Sequence, residues 1–202
     1  MCPPHDARRA PDGFTLLELL TVLAILGLAA ALGVPPLLDA TARLRVSLAA
    51  SEAASAIRLA RITAVRSRTH VAIRFEERDG AVWWSVYGDE DGDGVRAEDI
   101  RRGIDRRLDG PRPLRRTGAS VKLGFPPGPP PRDPGSGRRM TRLDDPVRFN
   151  RSDMVSFGPI GTSTPGSLYF TDGKRHLAVV RVFGRTGKVK VMVYDRETEA
   201  WR

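Results

Sequence analysis

Apolar positions run almost unbroken through residues 14–34, FTLLELLTVLAILGLAAALGV, where the one charge among twenty-one residues is Glu18. As helix, at 1.5 Å per residue, this stretch measures about 30 Å, enough to cross the hydrocarbon core of a bilayer. It predicts a membrane span. Arg8 and Arg9 precede it, a placement that keeps the N-terminus on the cytoplasmic side and exports the downstream chain. Pro35 and Pro36 come next; a proline inside a helix removes a hydrogen bond and bends the axis, so a kink is expected at Pro35. Beyond the prolines, Ala42, Val46, Ala49, Ala53, Ile57, Ala60 and Ala64 recur every three or four residues. That spacing is one apolar stripe of a helix that runs to about Arg66.

After the helix the period changes from 3.6 to 2. Val71, Ile73 and Phe75 alternate with polar residues, Asp79-Gly80 can turn the chain, and Val82, Trp84 and Val86 alternate again, which predicts a β-hairpin. Residues 104–150 hold nine of the sixteen prolines and little periodicity, and read as a long, partly disordered loop with a short strand near residues 121–125. The β pattern returns at Val155. Residues 167–171 and 174–183 flank Asp172-Gly173, the signal of a two-residue hairpin turn. Gly184-Arg185-Thr186-Gly187 then turns into residues 188–194, where Val189, Val191 and Val193 share one face and Lys188 and Lys190 the other. The expected fold class is α+β, a long N-terminal helix packed on antiparallel strands.

Composition adds two points. The only cysteine is Cys2, so the head has no disulfide and no thiol nucleophile. The net charge of +9 is matched by residues 101–151 alone, with fourteen Arg or Lys against five Asp; such a basic run is either a solvated loop or a surface for an acidic partner.

Three anchors compete for the N-terminal segment: a cleaved secretory signal, a plain signal anchor, and one built for assembly. A secretory signal has a shorter apolar core followed by a small-residue cleavage site, whereas here Ala-rich sequence continues into more helix. A lone carboxylate within a span costs about 3 kcal/mol, so Glu18 requires a use or a partner. Gly13-Phe14-Thr15-Leu16-Leu17-Glu18 resembles the signal of type IV pilins and type II secretion pseudopilins. That resemblance implies that prepilin peptidase cuts after Gly13 and that Phe14 becomes the methylated N-terminal residue. It also implies that Glu18 neutralises the terminal amine of a neighbouring subunit, and that a proline at the position of Pro35 is customary. An ammonium and a carboxylate buried together in lipid compensate each other better than either alone.

Ala60-Arg61 to Arg66, Trp84-Ser85-Val86-Tyr87, Phe157-Gly158-Pro159-Ile160-Gly161 and the closing Gly184-Arg185 turn resemble the GspH/FimT branch of these pilin-like proteins. The implied organisation is a leader over 1–13, a transmembrane half-helix over 14–34, an amphipathic half over 35–66, and a β-rich periplasmic head over 67–202. The implied role is that of a minor pseudopilin in a type II secretion filament, anchored in the inner membrane and meeting other pseudopilins or pilins and secreted cargo. The alternative is a FimT-like minor pilin that binds DNA in natural transformation.

The head offers two candidate sites. Asp89, Asp91 and Asp93 alternate before Gly94, as in the first half of a calcium loop, but Ile100 stands where the twelfth-position glutamate belongs, so calcium as a cofactor would need Asp99 or Glu98 by another loop path. The rival reading is an ordinary acidic turn. A DNA site would use Lys174, Arg175, Arg181, Arg185, Lys188 and Lys190, since phosphate contacts need only positive charge. The DNA-binding Gly-Arg-x-Arg motif of FimT-like proteins is matched in part, with Gly187 in place of the second arginine and Lys188 one position later. Of the three histidines, His5 is in the leader, and His70 and His176 fall in expected strands with no nucleophile or metal-ligand spacing beside them. No enzyme constellation emerges.

Overall fold

The structure, a computed structural model, describes residues 14–115, 120–150 and 152–202. It divides into two compact units, Met1–Ala40 and Thr41–Arg202, with helix α1, Leu16–Ser67, contributing to both. The expected cleavage residue Gly13, like Cys2, His5, Arg8 and Arg9, lies outside the described residues.

In the first unit α1 begins at a cap. Thr15 Oγ1 accepts the Glu18 amide at 3.2 Å, half of the reciprocal Thr-x-x-Glu arrangement that starts helices. Helix continues through Pro35 and Pro36, which together withdraw two amide donors from the carbonyls of Ala31 and Leu32.

The second unit is α+β, as the periodicity predicts. The buried stripe of α1 consists of Val46, Ile57 and seven alanines from Ala49 to Ala64. It packs into one core with the inner faces of two antiparallel sheets. The first sheet is built from β1 (Val71–Arg78), β2 (Ala81–Gly88), β3 (Arg106–Pro113) and β6 (Met154–Phe157), in the order β3-β2-β1-β6. The second is built from β4 (Lys122–Leu123), β5 (Val147–Arg148), β7 (Gly166–Thr171), β8 (Leu177–Phe183), β9 (Lys188–Asp195) and β10 (Ala200–Trp201); its order is β10-β9-β8-β7-β4, with β5 also on β7. The β1–β2 hairpin closes through Asp79 (φ 52°) and Gly80 (φ 74°), the paired positive φ values of a tight hairpin turn.

Two expectations are corrected. The Pro/Arg-rich stretch 104–150 holds the short strand expected near residues 121–125, as β4, but it is more ordered than a partly disordered loop, since it also supplies β3, β5 and the cover of the second sheet. Strand β3 escapes the usual pattern because it lies at a sheet edge, where Pro111 and Pro113 need not donate to a partner on the far side, and its register with β2 slips near Trp84 and Val86. Gly110 (φ 87°) fits against the Trp84 carbonyl, 2.6 Å from where a Cβ would stand. Further on, Phe125, Met140 and Leu143 cover Tyr169, Leu177, Val179 and Met192 on the outer face of the second sheet, together with Tyr194 and Trp201. The stretch stays in place because these three residues land on that face while Leu114, Val121, Leu123, Val147 and Phe149 enter the core shared with α1. The turn at Asp172-Gly173 is longer than expected: Thr171 pairs with Leu177, and Asp172 Oδ1 accepts the amides of Lys174, Arg175 and His176 at 2.9–3.0 Å, closing a five-residue loop.

Candidate functional site: an apolar helix and three head loops

Every large apolar residue between Phe14 and Leu38 is exposed, from Phe14 at 79% to Val22 at 42%. Such a surface is covered by lipid or by other apolar helices, and α1 is long and apolar enough to span a membrane. Glu18 is the one acid on it, in the first turn of the helix, where the partial positive charge of the helix end favours a carboxylate. The start of α1 thus gathers Phe14, the Thr15 cap and Glu18 within one turn.

The acidic segment after β2 forms a turn around Asp89. Asp89 Oδ1 accepts the Gly92 amide at 2.8 Å, Oδ2 accepts the Gly94 amide at 3.0 Å, and His70 Nδ1 lies 3.3 Å from Oδ2. Burial alone would raise the Asp89 pKa, but the Gly92 and Gly94 amides, with Asp91 and His70, outweigh it and hold the carboxyl below its ordinary value. Ligand atoms of Asp89, Asp91 and Asp93 lie within 4.8 Å of one another. Asp93 pairs with Arg96. Ile100 packs with Val95 and Ala97 against Ala72, Tyr87 and Met154, so the twelfth position serves the core rather than a cation. Asp99 is buried in the first turn of the short helix α2, Ala97–Arg102. Sequence reasoning missed Asp105, which is 2% exposed and whose Oδ2 accepts the Arg96 amide at 2.9 Å. Its pKa is raised, first by burial and then by the charges of Asp89 and Asp99, against the lowering contacts of the Arg96 and Glu90 amides. Nothing in the spacing marks Asp105, because it lies outside any twelve-residue loop counted from Asp89.

The basic residues separate into two places. Lys174 and Arg175 sit in the Asp172 loop at the start of β8, with Arg175 3.6 Å from Glu197. Arg185 lies in the turn after the other end of β8, and Lys188 and Lys190 follow on β9. Seven strand residues separate the two groups, on the order of 20 Å. One compact patch of all of them is therefore not formed. On the β9 side Arg181 stands directly opposite Lys190, a like-charge pair that costs stability across a sheet. Arg181 also donates to Ser167 Oγ at 3.3 Å and stacks on Phe183.

The motifs at the helix end, at residues 157–161 and at the β8–β9 turn meet in space. Arg61 Nε donates to the Gly161 carbonyl at 3.4 Å, and the Ser163 amide donates to the Gly184 carbonyl at 2.8 Å. Gly187, at φ +60°, lies so close that a Cβ there would stand 2.3 Å from the Gly161 carbonyl oxygen and 2.7 Å from Arg61 Nε. Glycine at 187 is thus a packing requirement of this turn.

Comparison with known proteins agrees with this geometry. The family model described as type II transport protein GspH matches residues 49–186, and the prokaryotic N-terminal methylation motif matches residues 8–34. Two fimbrial proteins of Pseudomonas aeruginosa are each 46% identical to the chain over 57 residues, 28% of this chain and 36% of theirs. The chain therefore spans about a third of the length of these curated relatives. No solved structure matches. With an apolar methylation-motif helix leading into a head matched over most of its length, the chain belongs to the GspH family of type IV pilin-like proteins.

Proposed function

We propose that this protein is a minor pseudopilin, a structural subunit of a type II secretion filament that works by assembly rather than catalysis. Prepilin peptidase cleaves after Gly13, Phe14 becomes the N-methylated terminus, and α1 holds the subunit in the bacterial inner membrane with the head in the periplasm until assembly. Glu18 then compensates the terminal amine of a neighbouring pilin or pseudopilin, and the heads meet other minor subunits or secreted cargo. The observation that carries this reading is the unbroken exposure of the large apolar residues from Phe14 to Leu38 around one carboxylate, a surface that calls for lipid first and neighbouring helices second. Mass spectrometry of the protein isolated from its native membrane tests it. A chain beginning at N-methyl-Phe14 is expected, and one retaining residues 1–13, or cut beyond the apolar stretch, refutes it.

A second reading, DNA binding in type IV pilus-mediated transformation, has one observation in its favour. Lys188 and Lys190 on β9 follow Arg185 in the turn, a run of cations that suits an anionic partner, while Arg181 opposite Lys190 is balanced by Asp133. A gel shift at increasing salt, with the Arg185→Ala and Lys188→Ala double variant as control, separates the readings. Binding that persists at modest salt and is lost in the variant favours the DNA receptor.

A further inference from the structure

One feature of the head is explained neither by packing nor by assembly. Asp89, Asp99 and Asp105 are all buried; Asp89 is held by the Gly92 and Gly94 amides and by His70 at 3.3 Å, whereas among the described residues no lysine, arginine or histidine forms an ion pair with Asp99 or Asp105. Burying several carboxylates side by side with a single histidine among them is costly, so the site calls for a further positive partner.

Asp105 locates that partner. Its Oδ2 takes the Arg96 amide at 2.9 Å and the Glu90 amide lies beside the same carboxylate, so the group is inserted between the two ends of the acidic turn. Its other oxygen, Oδ1, is buried and has no hydrogen-bond partner among the described residues. Around that turn Asp89, Asp91 and Asp93 place ligand atoms within 4.8 Å of one another, the span of two oxygens on opposite sides of an ion with bonds of about 2.4 Å. We propose that the acidic turn closed by Asp105 is a calcium site, with Asp89, Asp91 and Asp93 as ligands and the unpartnered Oδ1 of Asp105 behind them, reaching the ion through one water.

The donor set favours that ion. It offers carboxylate oxygens, with no sulfur to suit a softer metal, and flexible acidic turns suit calcium better than magnesium, which demands a tight octahedron. Asp105 supplies from outside the loop, behind the ligands, a buried charge that Ile100 cannot. Binding would also fix Val95 and Ile100, which lie between the turn and the outer face of the first sheet. The site is independent of the filament reading, since it involves the head alone.

Thermal unfolding of the full-length protein in detergent, stripped with EDTA and titrated separately with CaCl2, MgCl2 and NaCl of matched ionic strength, tests the site. Calcium is expected to raise the midpoint by several degrees with half-saturation between about 0.1 and 1 mM, the range of extracellular calcium modules. Magnesium should give less than half that shift and NaCl none. Asp91 and Asp93 are exposed, so Asp91→Asn with Asp93→Asn should leave the metal-free midpoint in place and abolish the calcium shift. Asp105→Asn should weaken half-saturation about tenfold or more, and if that variant fails to fold, the double variant decides. The proposal is overturned by a wild-type midpoint indifferent to calcium, by a shift that survives the double variant, or by magnesium or NaCl matching calcium.

Discussion

The indole Nε1 of Trp201 donates a hydrogen bond to the backbone carbonyl of Arg132 at 2.6 Å, across 69 residues of sequence. Next to this contact Glu199 receives Arg132 at 2.9 Å and also pairs with Arg139. The last strand thereby holds the Pro/Arg-rich stretch against the outer face of the second sheet. Replacing Trp201 with Ala removes this donor and an aromatic that packs at a tilt against Tyr169 and Tyr194. A loss of about 3 kcal/mol in denaturant unfolding is expected, with Trp201→Phe retaining roughly half. Limited proteolysis should shift to residues 126–139 in the Ala variant.

Gly187→Arg, which restores the Gly-Arg-x-Arg pattern on paper, is expected to destabilise the head rather than endow it with a new contact. The residue would take positive φ and press its Cβ into the Gly161 carbonyl and Arg61. A cost of about 2 kcal/mol or more is expected from the left-handed backbone and the overlap together. Unfolding of Gly187→Ala, which carries the same Cβ without a charge, should show most of the effect.

Glu18→Ala separates insertion from assembly. Removing a carboxylate from a span eases insertion by about 3 kcal/mol, so membrane fractionation should show full retention. Co-isolation of the variant with neighbouring pilin-like subunits should fall about tenfold or more, since the partner amine loses its counter-charge. Undiminished co-isolation would refute the assigned role of Glu18.

Acid should unfasten the β7–β8 loop. Burial on its own would raise the Asp172 pKa, but the amides of Lys174, Arg175 and His176, with the His176 ring, outweigh it and hold the carboxyl below the usual carboxylate range. A depressed folded pKa means that this contribution is complete above the unfolded value and disappears as pH falls through the folded one. Stability measured from about pH 5 down to about pH 2 should therefore drop through this region, and Asp172→Asn, which keeps an acceptor oxygen but no titration, should flatten the drop.

How much of this was legible depends on what each residue depends on. The β1–β2 hairpin could be read directly, because alternation at Val71, Ile73, Phe75, Val82, Trp84 and Val86 and the Asp79-Gly80 turn are local signals that tertiary packing does not override. The alanine stripe of α1 was equally plain, since its period survives in composition. Strand β3 was hidden by its prolines, which speak against a central strand and are silent about an edge. The length of the Asp172 loop was hidden because one side chain, capping three amides, overrode the two-residue turn signal. In the acidic turn the alternation of Asp89, Asp91 and Asp93 was visible. The role of Asp105 was not, because only the folded chain brings it between residues 90 and 96.

The buried line of α1 has a consequence for how this subunit can change. At its seven alanines this contact has almost nothing left to trim, so sequence drift at those positions runs toward bulk, and growth there wedges helix and sheets apart. The opposite line, with Leu44, Leu59 and Ile62 in the open, is under no such restriction from the head itself. Divergence among subunits of this type should accordingly concentrate on that outward line, where each chain can be retuned to its neighbours while the gauge of its own interior stays constant.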